Sequence, residues 1–148
     1  MTRLLTLEEL IAAPRETPFE PSPSFTNAWW TRPDAPQGRN VRYFQVRDGL
    51  LDVVRLRVFD PAVIWPQFDD FDADKCTVEI DRIETRVESR FQGYARSALT
   101  LLCEEFDTCQ VVAFSHADEF WERTGFAKKH RQGGTGREAA FFVWPPMR

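Results

Sequence analysis

The hydrophobic and polar positions of this chain fall into two kinds of spacing, and each predicts an element. Alternating or short continuous apolar runs recur at 41–46, 50–59, 78–85, 109–115, 126–130 and 139–144, the pattern of strands. Between the third and fourth runs, Ala95, Ala98, Leu99, Leu102 and Phe106 repeat at helical intervals. That stripe predicts a helix over 96–106 with one face on a sheet. Asp48-Gly49 separates the first two strands and predicts a hairpin whose two central residues take positive φ. Thr6-Leu7-Glu8-Glu9 has the form of a capping box, which predicts a helix running to Ala13 and stopped by Pro14. A further short helix is expected around Phe120-Trp121-Glu122-Arg123-Thr124-Gly125, closed by its glycine. The Gly133-Gly134-Thr135-Gly136 run is a flexible turn before the last strand, which Pro145-Pro146 ends. Helices on a mixed sheet predict an α/β (α+β) fold.

The segment 14–36 fits neither spacing. It is rich in proline and polar residues, yet it carries Phe19, Phe25, Trp29 and Trp30. A pure linker needs no such aromatics, so this segment is expected to lie against the body of the domain. At 148 residues the chain reads as one domain, 1–148, and 43% apolar residues are enough for a core. The net charge of −4 argues against nucleic acid as a partner. No apolar run is long enough to span a membrane, and the N-terminus lacks the apolar stretch of a signal peptide. Cys76, Cys103 and Cys109 are odd in number and lack metal-ligand spacing. They read as core filler in a protein of the reducing cytoplasm, with no metal site.

The chemistry concentrates at Arg90-Phe91-Gln92-Gly93-Tyr94-Ala95. A strand precedes it and a helix follows it. Unpaired N–H groups at a helix N-terminus, together with the helix dipole, favour an anion there. Gly93 removes the side chain that would block close approach. Farther on come a strand, 109–115, and the short helix with Phe120-Trp121, followed by Gly125-Phe126. In this order the sequence resembles the GNAT superfamily of acyl-CoA-dependent N-acyltransferases, whose signature includes Q/R-x-x-G-x-G/A opening a helix. The resemblance covers about 76–128, with the stretch 1–36 as a variable N-terminal region. It implies a mostly antiparallel sheet that splays open beside the phosphate turn.

The resemblance also implies acetyl-CoA, or a related acyl-CoA, as co-substrate. Its pyrophosphate would sit on Arg90, Phe91, Gln92, Gly93, Tyr94 and Ala95, with Arg90 and Arg96 adding charge. Its pantetheine arm would run beside the strand from Ile83 and Thr85 to Val87, with Trp121 packed against it. A base must take a proton from the acceptor ammonium. Glu84 and Glu79 are the candidates, with Asp81 behind them. On a regular strand Glu79, Asp81, Ile83 and Thr85 share one face and Glu84 lies opposite, unless a bulge re-aims the later residues. Trp121 stands where many members carry Tyr, and an indole is no acid at neutral pH. Tyr94, His116 or a water are the remaining proton donors. Trp29, Trp30, Trp65, Phe68 and the acids 69–74 are candidates for the acceptor site, an aromatic and acidic lining that suits a cationic amine.

The function these residues imply is acetyl transfer to a primary amine, on a small molecule or a protein, by direct attack. No cysteine is set up as a nucleophile. A homodimer is compatible with the sequence. The rival readings are a non-catalytic acyl-CoA-binding module and an interaction domain built on the Trp-rich N-terminal segment.

Overall fold

The computed structural model describes residues 3–11, 17–30 and 40–146. Among these residues, seven strands form a single sheet in the order β1-β2-β3-β4-β5-β7-β6. They are β1 Leu5–Leu10, β2 Val41–Asp48, β3 Leu51–Phe59, β4 Thr77–Thr85, β5 Gln110–Ser115, β6 Ala127–Lys129 and β7 Ala140–Trp144. All neighbours are antiparallel except β4 and β5, which run parallel. The helices are α1 Asn27–Trp30, α2 Tyr94–Glu105 and α3 Asp118–Arg123. No helix among the described residues is long and apolar enough to cross a membrane.

One face of the sheet carries α2. Ala98, Leu99, Leu102 and Phe106 bury against Phe44, Val46, Val54, Leu56, Val58, Val78 and Ile80, so the helical stripe read from the sequence is the core stripe. The opposite face holds two smaller clusters. Ile64, Phe68, Phe141 and Val143 pack beside Val112 of β5. Phe19, Phe25 and Trp30 pack on Tyr43 of β2. The N-terminal segment therefore lies on the sheet, as its aromatics require. Its contact is unusual in one respect: the Arg55 guanidinium sits 3.9 Å from the Phe25 ring centre and 4.9 Å from that of Phe19. The aromatic faces give a buried cation an attractive environment.

Three expectations are corrected. The stretch from Thr6 is a strand rather than a helix. Its capping box is a local signal worth about 1 kcal/mol, whereas six residues of β1 pair with β2 from Leu5↔Asp48 to Leu10↔Tyr43. The two glutamates of that box serve across the strands: Glu9 binds Arg42 at 2.7 and 2.8 Å, and Glu8 faces Arg47 at 3.5 Å. The continuation to Ala13 lies outside the described residues. The hairpin forms where expected, but its loop is Gly49-Leu50, since Asp48 pairs with Leu51. Only Gly49 of the two is left-handed, with φ 63°, the glycine-first form of the two-residue loop.

The third correction concerns the cysteines. Cys76 and Cys109 are joined as a disulfide, while Cys103 is a buried thiol. Thr77 pairs with Gln110, so the residues one step before them are neighbours at the base of two parallel strands. Their Cα atoms lie 4.8 Å apart, within the range a disulfide needs. A separation of 33 residues carries no sign of this in the sequence. Burial pushes the Cys103 thiol up to about 12, so it is core filler as expected.

Candidate functional site

The β4–β5 ladder is short. It holds Thr77–Glu79 against Gln110–Val112 and then ends, although β4 continues to Thr85 and β5 to Ser115. Beyond Glu79 the two strands part. On its other side β4 stays paired to β3, with a register shift opposite Arg57 and Val58. Arg57 faces Arg82 and Val58 faces Ile80, which leaves Asp81 as the extra, bulged residue. A bulge reverses the alternation that follows it. Glu79 and Glu84 therefore share one face, and Ile83 joins Ile80 on the other.

The parted strands enclose a cleft of about 370 Å³ lined by Trp29, Ile80, Asp81, Arg82, Ile83, Phe114, Ser115 and Trp121. Asp81 is held on this wall by Arg57, at 2.5 and 2.6 Å, and lies 3.6 Å from Arg82. Arg57 is itself buried, and its Nη1 has no hydrogen-bond partner among the described residues. Trp121 is almost fully buried: it stacks on Phe142 with ring centres 6.2 Å apart and meets Phe126 edge-on at 5.0 Å. Asp81, Phe114 and Ser115 carry no motif. Only the bulge and the parting of the strands bring them to the cleft.

The Gly93 turn follows β4. A single 3-10 turn, Val87–Ser89, leads into it, and α2 opens at Tyr94 with Gly93 as its N-cap. Phe91 and Gly93 are both left-handed, with φ 63° and 81°. Gly93 is the position where the absence of a side chain matters. Phe91 is fully exposed, at 105%. The first intrahelical bond runs from Ser97 N–H to the Gly93 carbonyl, so the amides of Tyr94, Ala95 and Arg96 are free of helix partners. Arg96 is exposed. Arg90 turns back: its guanidinium lies 3.5 Å from the Glu84 carboxylate and reaches the Thr85 carbonyl at 3.5 Å.

Glu84 is the most heavily used carboxylate near the cleft. Its oxygens accept from Thr26 N–H at 2.9 and 3.1 Å, Thr26 hydroxyl at 2.7 Å and Trp30 indole N–H at 2.6 Å. It ties the N-terminal segment to β4 and holds Arg90. Glu79 is also buried and stands where the ladder ends. Tyr94 points away from the cleft: its hydroxyl donates to Asp48 at the end of β2, which raises its pKa. His116 is exposed beyond β5.

The expected acceptor residues separate. Trp29 alone reaches the cleft wall. Trp30 is buried on Glu84, Trp65 is 83% exposed, and Phe68 stacks on Phe141 at 4.0 Å. The acidic run leads away from the cleft, because the Asp72 carbonyl accepts from Gln110 at the start of β5. A larger hollow, about 600 Å³, lies there among Asp70, Asp72, Lys75 and Lys129. It is at the paired end of the strands, far from the phosphate turn. One residue came unannounced: Arg3, just before β1, donates to the Gln92 carbonyl and stacks over the Tyr94 ring at 4.0 Å.

The fold as a whole matches a set of solved acetyltransferases. An acetyltransferase from Thermus thermophilus is 18% identical, with a TM-score of 0.56 over 97% of this chain and 99% of that one. The Bacillus subtilis N-acetyltransferase YlbP, in complex with coenzyme A, is 18% identical, with a TM-score of 0.52 over 70% of this chain and 67% of that one. A mutant of the toxin AtaT, bound to the C-terminus of the antitoxin AtaR and acetyl-CoA, is 16% identical, with a TM-score of 0.55 over 94% and 92%. This chain has the GNAT acetyltransferase fold. At such identities it is the GNAT fold that is shared. No family model matches the sequence, and no curated protein does.

Proposed function

We propose that the protein is an acetyl-CoA-dependent N-acetyltransferase that passes the acetyl group to a primary amine. The observation that carries this reading is the parting of β4 from β5 beyond Glu79, directly beside the Gly93 turn. In that arrangement the backbone of Ile83 and Thr85, released from β5, is free to pair with the pantetheine amides. The amides at Gly93 to Arg96 take the pyrophosphate. Trp121 forms the wall against which the thioester end rests. A solved neighbour of the same fold holds acetyl-CoA, which supports an acyl-CoA in this cleft.

The amine nitrogen attacks the acetyl carbonyl, the C–S bond breaks and the thiolate leaves. Glu84 is a positioning residue in this scheme, because three donor groups already hold its carboxylate in four contacts. Glu79, where the β4–β5 ladder ends and on the same face of β4 as Glu84, takes the amine proton through water. Asp81, pinned by Arg57, orients the incoming ammonium. The acceptor, a small molecule or a protein, enters beside Trp29 and Arg82. The second reading, a non-catalytic acyl-CoA-binding module, is favoured by one observation: the buried Trp121 brings no acid to the leaving thiolate.

Calorimetry of acetyl-CoA binding tests the reading, with Gly93→Asp alongside the wild type. The variant puts a carboxylate and a strained side chain at φ 81°, so its affinity is expected to fall by more than about tenfold while the fold persists. Unaltered affinity in the variant would show the phosphate site to be elsewhere. Turnover of any amine by the wild type removes the second reading.

A further inference from the structure

We propose that the N-terminal strand positions the phosphate turn and that Arg3 is the residue through which it acts. This rests on the reading of that turn as the seat of the acyl-CoA pyrophosphate. Three contacts converge there. The Arg3 guanidinium donates to the Gln92 carbonyl. It lies over the Tyr94 ring, 4.0 Å from its centre. Its Nη1 is 3.9 Å from where a Cβ on Gly93 would stand. Tyr94 in turn donates its hydroxyl to Asp48, and the Leu4 carbonyl accepts the Gly49 N–H at 3.4 Å. The arm before β1 and the tip of the β2–β3 hairpin thus grip the residues on both sides of Gly93.

The consequence is electrostatic as well as mechanical. The Gln92 carbonyl and the Gly93 N–H belong to one planar peptide and point in opposite directions. A cation on the carbonyl draws electron density across that peptide and makes its N–H a stronger donor. Arg3 therefore acts from behind, on the carbonyl side, while an anion approaches from the amide side. The turn also needs a brace: Phe91 and Gly93 are both left-handed, and the phenylalanine is disfavoured there. Outside contacts that hold the turn remove the cost of ordering it when the anion arrives.

Arg3→Met tests this, with Arg3→Lys as the conservative variant. The probes are CoA, by calorimetry, and S-acetylpantetheine, which has no pyrophosphate, by NMR titration. Amide hydrogen exchange at Gln92 to Arg96 is read in the ligand-free protein. Arg3→Met should weaken CoA about fivefold, the worth of one ordinary hydrogen bond, and leave S-acetylpantetheine unchanged. Exchange in the turn should quicken, and Arg3→Lys should restore most of the CoA affinity. Equal losses for both ligands would mean that Arg3 only supports the fold, and the proposal would fail. Unchanged CoA affinity and exchange would overturn it as well. If the wild type binds neither ligand, the cofactor reading falls. Faster exchange in Arg3→Met would still support the brace in that case, and unchanged exchange would overturn it.

Discussion

The two ends of the β4–β5 pair make opposite use of the same strands. At the closed end the strands are hydrogen-bonded, Val78, Val111 and Val112 are fully buried, and Cys76 is bonded to Cys109. At the open end the ladder has stopped, Asp81 bulges, and Arg82, Ile83 and Ser115 are partly exposed. The lesson is that the cleft is a built gap. The strands are pinned at one end, and β4 stays paired to β3 at the other, so the opening needs no mobile segment. Packing energy is concentrated where the strands meet, and polar chemistry where they part.

Trp121 is the residue that joins the two regimes, since its ring belongs to the core and also lines the cleft. Trp121→Ala should cost about 3–5 kcal/mol in denaturant unfolding and weaken acyl-CoA binding as well. A loss of binding at full stability would place the ring in the cleft only. The closed end alone is probed by Cys76→Ser with Cys109→Ser. Releasing a loop of 33 residues should lower stability by about 3 kcal/mol, with CoA affinity, measured below the melting transition, little changed. If affinity collapses first, the disulfide sets the splay, and the division between the two ends is wrong.

Glu84→Gln sharpens the open end. One side of the amide can no longer accept, which leaves a donor from Thr26 or Trp30 unmatched, at a cost of about 1–3 kcal/mol. Transfer should slow without a shift in its pH profile, because Glu84 positions the N-terminal segment and Arg90. A displaced acidic limb would return Glu84 to the role of base.

The smallest effect concerns the loop before β7. Backbone N–H bonds, first that of Thr135, hold the Glu138 carboxyl down at about 2 from its ordinary 4.5. A depressed carboxylate contributes order above its unfolded pKa and loses it as pH falls through its folded one. Amide protection at Thr135 and Gly136, taken relative to the intrinsic exchange rate at each pH, should therefore fall between pH 4.5 and 2, with the cleft unaffected. Protection that is flat over that window would show that the contact does not order the loop.

Much of this was legible in the residues. The helix stripe from Ala98 to Phe106, the hairpin at Gly49, the buried aromatics of the N-terminal segment and the Gly93 turn rest on local spacing, and local spacing survives folding. The N-terminal strand was not legible. Its capping box and its strand pairing compete, and the partner that decides, β2, lies more than thirty residues away. The same change of element delivers Arg3 to the Gly93 turn, so one misjudged strand hides one contact.

The amino-acid sequence by itself determined the order of elements from the β2–β3 hairpin onward, the core stripe of α2 and the turn that suits an anion, because each follows from periodicity, turn chemistry or glycine within a few residues. Only the tertiary structure decided the pairing of Cys76 with Cys109, the shared face of Glu79 and Glu84, the occupation of the Glu84 carboxylate, and the meeting of Arg3 with Gln92. Each of these depends on strand register, and register is a property of two distant segments brought together.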